Sequence, residues 1–264
     1  MSSFDPFESA APAEILLHRA PLIRVIAQLR FPVIASLGRA DFIGPFQEAI
    51  RIRYPILRPE QTATFVPGPL GMSVQQGESI LWRFHDTTDA WRVSLAPNFV
   101  ALEATAYTDR DDFFGRFEEA VRALDKLVKL SFYDRLGVRY INRIHGPELE
   151  RLPELVRSEV LGISAPSVSG LRHSLCESLF TSNDVALSTR WGRVPAGATT
   201  DPTAIDPIGE PSWVLDLDMS RAVQQSAFDA DEVFRDGRAF ASTMYKFFRW
   251  CVTPEFLTTF GGAA

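Results

Sequence analysis

At 264 residues, 46% of them hydrophobic, the chain is long enough to bury a substantial core as one large domain or two smaller ones. Its 27 basic and 33 acidic residues give a net charge of -6 and a pI near 5.3, which argues against a protein that coats nucleic acid with its whole surface and leaves room for a local basic site. Two cysteines, Cys176 and Cys251, are too few for a disulfide framework or a thiolate metal cage; both stand in apolar runs, so both are expected as buried thiols in a reducing compartment.

The opening stretch, MSSFDPFESAAPAEILL, lacks the basic-then-apolar order of a secretory signal. No apolar run approaches the roughly 20 residues of a membrane helix, so a cytoplasmic protein with no membrane partner is expected. Residues 1–17, small, acidic and proline-containing, read as a mobile lead-in. In PLIRVIAQLRFPV, Ile23, Val25, Ala27, Leu29 and Phe31 alternate with Arg24, Ile26, Gln28 and Arg30, the period of a half-buried strand. A helix is predicted over 40–53, with Asp41 as N-cap, Pro45 near its start and Phe42, Phe46 and Ile50 on one face; Tyr54-Pro55 ends it.

From 61 to 107, short runs of strand character (TATFV, MSVQQ, SILWRFH, AWRVSLAP, FVALEATAY) alternate with turn signals at 67–71, at Gln76-Gly77-Glu78 and at Pro97-Asn98, the pattern of an antiparallel meander. TDRDDFFGRFEEAVRALDKLVKL then predicts a helix capped by Thr108 or Asp109, with Phe113, Phe117, Val121, Leu124 and Leu127 or Val128 as its buried stripe. A strand with three arginines follows directly, YDRLGVRYINRIHG over 133–146.

The second half repeats the theme: a helix over 148–161, then strands in LRHSLCESLF, VALSTRWGRV and SWVLDLDMSRA. A polar loop at 195–212 separates the last two and is expected to be a flexible excursion or a lid. A long helix follows, with Val233, Phe240, Met244, Phe247 and Cys251 at helical spacing, then a terminal turn in TPEFLTTFG. The expected fold is α+β, antiparallel sheets packed on amphipathic helices. Strand, acidic linker and helix recur at 99–129 and 213–251, which suggests two related units, 18–146 and 147–264, packed as one globule.

Alternation places Tyr133, Arg135, Gly137, Arg139, Ile141, Arg143 and His145 on one strand face. The same logic groups Arg24, Gln28 and Arg30, Arg83 with His85, Arg92 with Ser94, and Glu103 with Thr105. If those strands are neighbours, one sheet face is rich in guanidinium groups. Phosphate or carboxylate is the natural ligand of such a surface, because a guanidinium fork binds an oxyanion bidentately and stays charged when partly desolvated. The candidate ligand-binding set is Arg135, Arg139, Arg143, Arg24, Arg30 and Arg92. The competing expectation is that Arg135, Arg139 and Arg143 pair across strands with Glu103, Asp216 and Asp218, each exposed pair contributing at most about 1 kcal/mol. In WVLDLDM, Asp216 and Asp218 share a face, and such a D-x-D, with Glu177 on a neighbouring strand, is a weak candidate for a divalent metal.

His18, His85, His145 and His173 show no ligand spacing, no P-loop, G-x-S-x-G or G-x-G-x-x-G occurs, and the five tryptophans read as core in a chain with 11% aromatic residues. The segments APLIRVIAQLRFP, YDRLGVRYINRI, LDLDM and TPEFLTTFG together resemble a sporadically distributed family of bacterial proteins of this size, with Tyr133 to Arg143 the most specific run. The resemblance implies a bacterial cytoplasmic protein of the accessory kind and brings no activity or catalytic residues with it.

Two functions follow as expectations. The first is a non-catalytic interaction module, an accessory component of a defence or toxin-control system, with a protein as the first partner expected and nucleic acid or a phosphorylated ligand as others; no cofactor is expected, and a homodimer stays open. The second is a metal-dependent enzyme acting on a phosphorylated small molecule or nucleotide, with arginines on the phosphate and Mg²⁺ on Asp216 and Asp218. It resembles the logic of triphosphate-tunnel hydrolases, but where those carry an alternating glutamate-and-lysine strand this chain reads LIRVIAQLRF.

Overall fold

The alternation of LIRVIAQLR becomes strand β1 (Leu22–Arg30): Val25, Ala27 and Leu29 are buried and the residues between them are half-buried. A one-residue slip would turn all three to the opposite face, so this pattern fixes the register. The computed structural model describes residues 4–68, 71–165 and 168–262, with the backbone alone for those of 62–79, 224 and 225 that fall among them.

Helix α1 (Gly44–Ile50) is shorter than the 40–53 expected. Asp41 does not cap it, because its carboxylate is paired with Arg39, and Ile43 holds the cap position without a side-chain bond. Phe46 and Ile50 are buried as the spacing predicts. The predicted antiparallel meander is found as four successive strands, each paired with the next. Strands β2 (Ile56–Gly68) and β3 (Gly71–His85) pair from Ile56 with His85 to Gly68 with Gly71, with a register shift between Gln61 and Ala63. Gln76-Gly77-Glu78 passes through β3 without turning, while Pro69 and Leu70 of the turn predicted at 67–71 lie outside the described residues. Strands β4 (Trp91–Ala96) and β5 (Phe99–Ala104) close over Pro97-Asn98 as predicted.

Helix α2 (Arg110–Val128) is capped by Asp109, whose carboxylate accepts the Asp112 N–H at 2.8 Å, and Asp111 and Asp112 stand in its first turn, where the helix dipole favours negative charge. Phe113, Phe117, Val121 and Leu124 are buried, as the 3.6-residue period requires. Strand β6 (Phe132–His145) follows. The single helix expected over 148–161 is instead three one-turn pieces, α3 (Pro147–Glu150), α4 (Leu152–Leu155) and α5 (Ser158–Leu161). Val156 and Arg157 are extended between the last two, Val156 in a bridge to Val252 and Arg157 donating its N–H to the Cys251 carbonyl at 2.9 Å. Distant partners thus replace the intrahelical bonds, and Pro153 has no N–H to offer them.

Strands β7 (Cys176–Ser182), β8 (Val185–Val194) and β9 (Ser212–Ala227), helix α6 (Ala230–Cys251) and helix α7 (Pro254–Thr259) complete the fold. In α6, Val233, Phe240, Met244, Phe247 and Cys251 are all buried, the stripe read from the sequence. Among the described residues no helix is long and apolar enough to cross a membrane.

The chain is α+β with a large antiparallel sheet. It forms two compact units, one of Ile26–Gly137 and Ala222–Gly237, the other of Met1–Val25, Val138–Arg221 and Arg238–Ala264. This differs from a cut at residue 146, because β1, β6 and β9 contribute residues to both units. In the first unit the strand order is β2-β3-β4-β5-β1-β6-β9, and in the second it is β1-β6-β9-β8-β7. The first is filled by Phe46 against Phe84 and by Phe113 edge-on to Phe114. In the second, the lead-in lies along α6: Phe4 stacks on Trp250 with centroids 5.1 Å apart, and the Tyr245 hydroxyl accepts the Ile15 N–H at 2.9 Å. Residues 4–17 are thus tied to a helix, where a mobile segment was expected.

Candidate functional site

Strand β6 carries the arginines that motivated a ligand site, and their surroundings decide what they do. In the second unit, Arg139 meets Asp216 of β9 as two parallel forks, Nε to Oδ1 at 2.8 Å and Nη2 to Oδ2 at 2.7 Å. Its remaining nitrogen, Nη1, donates to Asp201 Oδ2 at 2.8 Å. The side chains are 18% exposed for Arg139 and 6% for Asp216, so this pair sits largely out of water, where charge-assisted bidentate bonds are strong and a lone charge is costly. Burial works against the Arg139 charge, but Asp216 and Asp201 more than reverse it and hold its pKa above the ordinary arginine value.

The row continues in alternating sign across four neighbouring strands. Asp216 stands opposite Arg190 of β8 in the register, and Arg190 Nε lies 2.7 Å from Glu177 Oε1 of β7. Arg139, Asp216, Arg190 and Glu177 thus form a ladder, the cross-strand pairing that stabilises sheets. Asp218 is half-buried two residues further along β9, opposite Ser188. Both Asp216 oxygens are engaged by Arg139, and among the described residues no group of three His, Cys, Asp or Glu is placed to hold a metal ion.

Asp201 comes from the loop at 195–211, which is fastened internally. The Asp201 carboxylate accepts the Thr203 N–H at 3.0 Å and its hydroxyl at 2.7 Å, the Gly197 N–H donates to the Ile208 carbonyl at 2.7 Å, and Ala204 and Ile205 are buried. The flexible excursion is therefore a folded loop, locally stitched in the manner of an Asx turn. Burial pulls the Asp201 pKa upward, but Thr203 and Arg139 overcome it and hold the carboxyl below its usual range. A carboxylate with a depressed folded-state pKa stabilises the fold above its unfolded pKa and loses that contribution as pH falls through the folded value. Urea midpoints are thus expected to fall as pH drops below about 4, and to fall less in Asp201→Asn. Equal acid sensitivity in both proteins would show that Asp201 carries none of it.

Arg143, four residues on, is 8% exposed and the only buried arginine among the described residues. Its Nη2 donates to the backbone carbonyl of Asp206 at 2.7 Å, and its Nε is buried with no hydrogen-bond partner. Burial, the largest influence, pushes its pKa below the ordinary value. Arg24 of β1 bonds the carboxylate of the same Asp206 at 3.0 Å.

In the first unit, Arg92 and Glu103 stand opposite each other and are ion-paired, and Arg83 bonds Glu60 at 2.6 Å while lying 3.6 Å from Glu103. Arg135 is folded back over Gly137: a Cβ there would meet the guanidinium, with Cζ at 2.8 Å, so glycine leaves the room that this arginine uses. Arg30 is exposed at the end of β1. The six arginines named from the sequence therefore divide: Arg139, Arg143 and Arg24 in one unit, Arg92, Arg135 and Arg30 in the other. The partners that sequence reasoning passed over, Asp201 and Asp206, each precede a proline in the loop, an Asp-Pro repeat that was the one available signal.

Two further expectations change. Cys176 is exposed at the start of β7, the last strand in the sheet order, while Cys251 is buried and its thiol pKa is pushed up by burial. Tyr133, placed on the arginine face by alternation, is buried, while Phe132 beside it is 45% exposed. Compared with models of known protein families and with curated proteins, the chain gives no match.

Proposed function

We propose that the chain is a non-catalytic interaction module of a bacterial accessory system, of the defence or toxin-control kind, and that it engages a protein partner. The observation that supports this reading is the use of the arginines: Arg139, Arg92 and Arg83 face carboxylates of their own chain. A phosphate clamp needs guanidinium groups turned to the ligand. The metal-dependent phosphate enzyme is less favoured, because Asp216, its candidate Mg²⁺ ligand, already gives both oxygens to Arg139. The reading also takes β5–α2 and β9–α6 as related strand-helix units packed through amphipathic faces, each helix opening on acidic residues, Asp111 and Asp112 in one and Asp231 and Glu232 in the other.

The partner is assigned to the edge of β7, where an extended segment of another protein can add as a further strand. Leu179, at the middle of β7, is 67% exposed. Cys176, exposed while Cys251 is buried, gives a selective attachment point for a photo-crosslinker. The labelled protein is expected to capture one partner from bacterial cells, and that partner, once purified, should bind the wild type at least about tenfold more tightly than Leu179→Lys. Equal binding to both would remove the edge from the account. Mg²⁺-dependent phosphate release from a nucleotide or polyphosphate, abolished in Asp216→Asn, would replace the module with the enzyme.

A further inference from the structure

A buried guanidinium is unfavourable unless an anion or a full set of acceptors offsets its lost hydration. Arg139 meets that requirement with two carboxylates, whereas Arg143, 8% exposed, has a single carbonyl acceptor and a bare Nε. No carboxylate of the described residues forms an ion pair with it, and Arg24 lies close enough to repel it. Its backbone is pinned as well, since the Arg143 N–H donates to the Pro21 carbonyl at 2.7 Å and so joins β6 to the start of the segment that carries Arg24. One loop residue serves both arginines: the Asp206 carbonyl accepts from Arg143, and its carboxylate accepts from Arg24. That carboxylate is 79% exposed, so it can swing into water without uncovering any core.

We propose that Arg143 and Arg24 form a binding site for an oxyanion, a phosphoryl or carboxylate group, and that Asp206 is its internal stand-in. Asp206 Oδ2 takes a single bond from Arg24 Nη2, and in the proposed site an oxyanion takes that place on Arg24 and supplies the acceptor that Arg143 Nε lacks. The site is separate from the Arg139–Asp216 ladder and from the β7 edge, and it stands whether or not that edge takes a partner.

The test is calorimetric titration of the full chain with inorganic phosphate, pyrophosphate and succinate at matched ionic strength. At least one of the three is expected to bind the wild type, about fivefold more tightly in Asp206→Ala, where an exposed competing ion pair is removed. Binding should weaken at least about tenfold in Arg24→Gln. Arg143→Gln should abolish it, and Arg24→Gln keeps the test valid if that buried change disturbs folding. Phosphate binding without succinate binding assigns a phosphoryl ligand, and the reverse assigns a carboxylate. Affinity that ignores both Asp206→Ala and Arg24→Gln, or no binding by wild type and Asp206→Ala up to about 10 mM, overturns the site.

Discussion

Arg139→Ala is expected to destabilise the protein by about 3–5 kcal/mol, the largest cost of any single change in the arginine stripe. The cost comes from what is left behind. Asp216, 6% exposed, would be left in a poorly hydrated site with its bidentate partner removed, and Asp201 would lose its bond to Nη1. Against a total stability of roughly 5–15 kcal/mol this is enough to bring unfolding close to working temperatures. The internal control is Arg58, half-exposed and paired with the equally exposed Asp89, whose replacement should cost at most about 1 kcal/mol. Urea unfolding of the two variants side by side measures the contrast.

Gly192→Ala is the second large effect, expected on the order of 3 kcal/mol. Gly192 lies in β8 with φ +155°, and a Cβ there would press on the Ser174 carbonyl, with the carbonyl carbon at 2.8 Å and the Leu175 Cα at 3.0 Å. These are backbone atoms, so no side chain can move aside. The close approach also lets the Ser174 N–H donate to the Arg193 carbonyl at 3.1 Å, which ties the entry of β7 to β8. Loss of amide-exchange protection concentrated at 174–194 would mark this mechanism. Exchange that rises evenly over the whole chain, or a cost within about 0.5 kcal/mol, would show that the strand accommodates the methyl group.

What the sequence showed plainly was local. The two-residue alternation of β1, the Asp109 cap of α2 and the apolar stripe of α6 are each set by residues within a few turns of one another, and each is found where it was expected. The predicted helix over 148–161 failed because Val156 and Arg157 find partners in Val252 and Cys251, almost a hundred residues away, which no window on the sequence contains. The same limit governed the stripe. Alternation correctly put Arg139 and Arg143 on strand β6, yet what they meet, Asp201 and Asp206, comes from a loop 62 and 63 residues downstream that by composition looked like an unattached excursion. The pairing of Arg139 with Asp216 was among the expected cross-strand pairs, and Glu103, also expected to pair, is ion-paired with Arg92. The exposure of Cys176 was hidden because an apolar run reads as interior, while β7 is the last strand in the sheet order.

A division of roles runs through the conspicuous arginines of β6, with Arg139 bound into the sheet and Arg143 part of the proposed oxyanion site. A double-mutant cycle on Arg139→Ala and Asp216→Ala, read by urea unfolding, tests its first half most directly. A coupling of about 2–3 kcal/mol is expected, the double variant being more stable than the sum of the single losses implies. A coupling within about 0.5 kcal/mol, with Arg139→Ala folding as well as the wild type, would mean that this arginine is held for a ligand and not for the sheet.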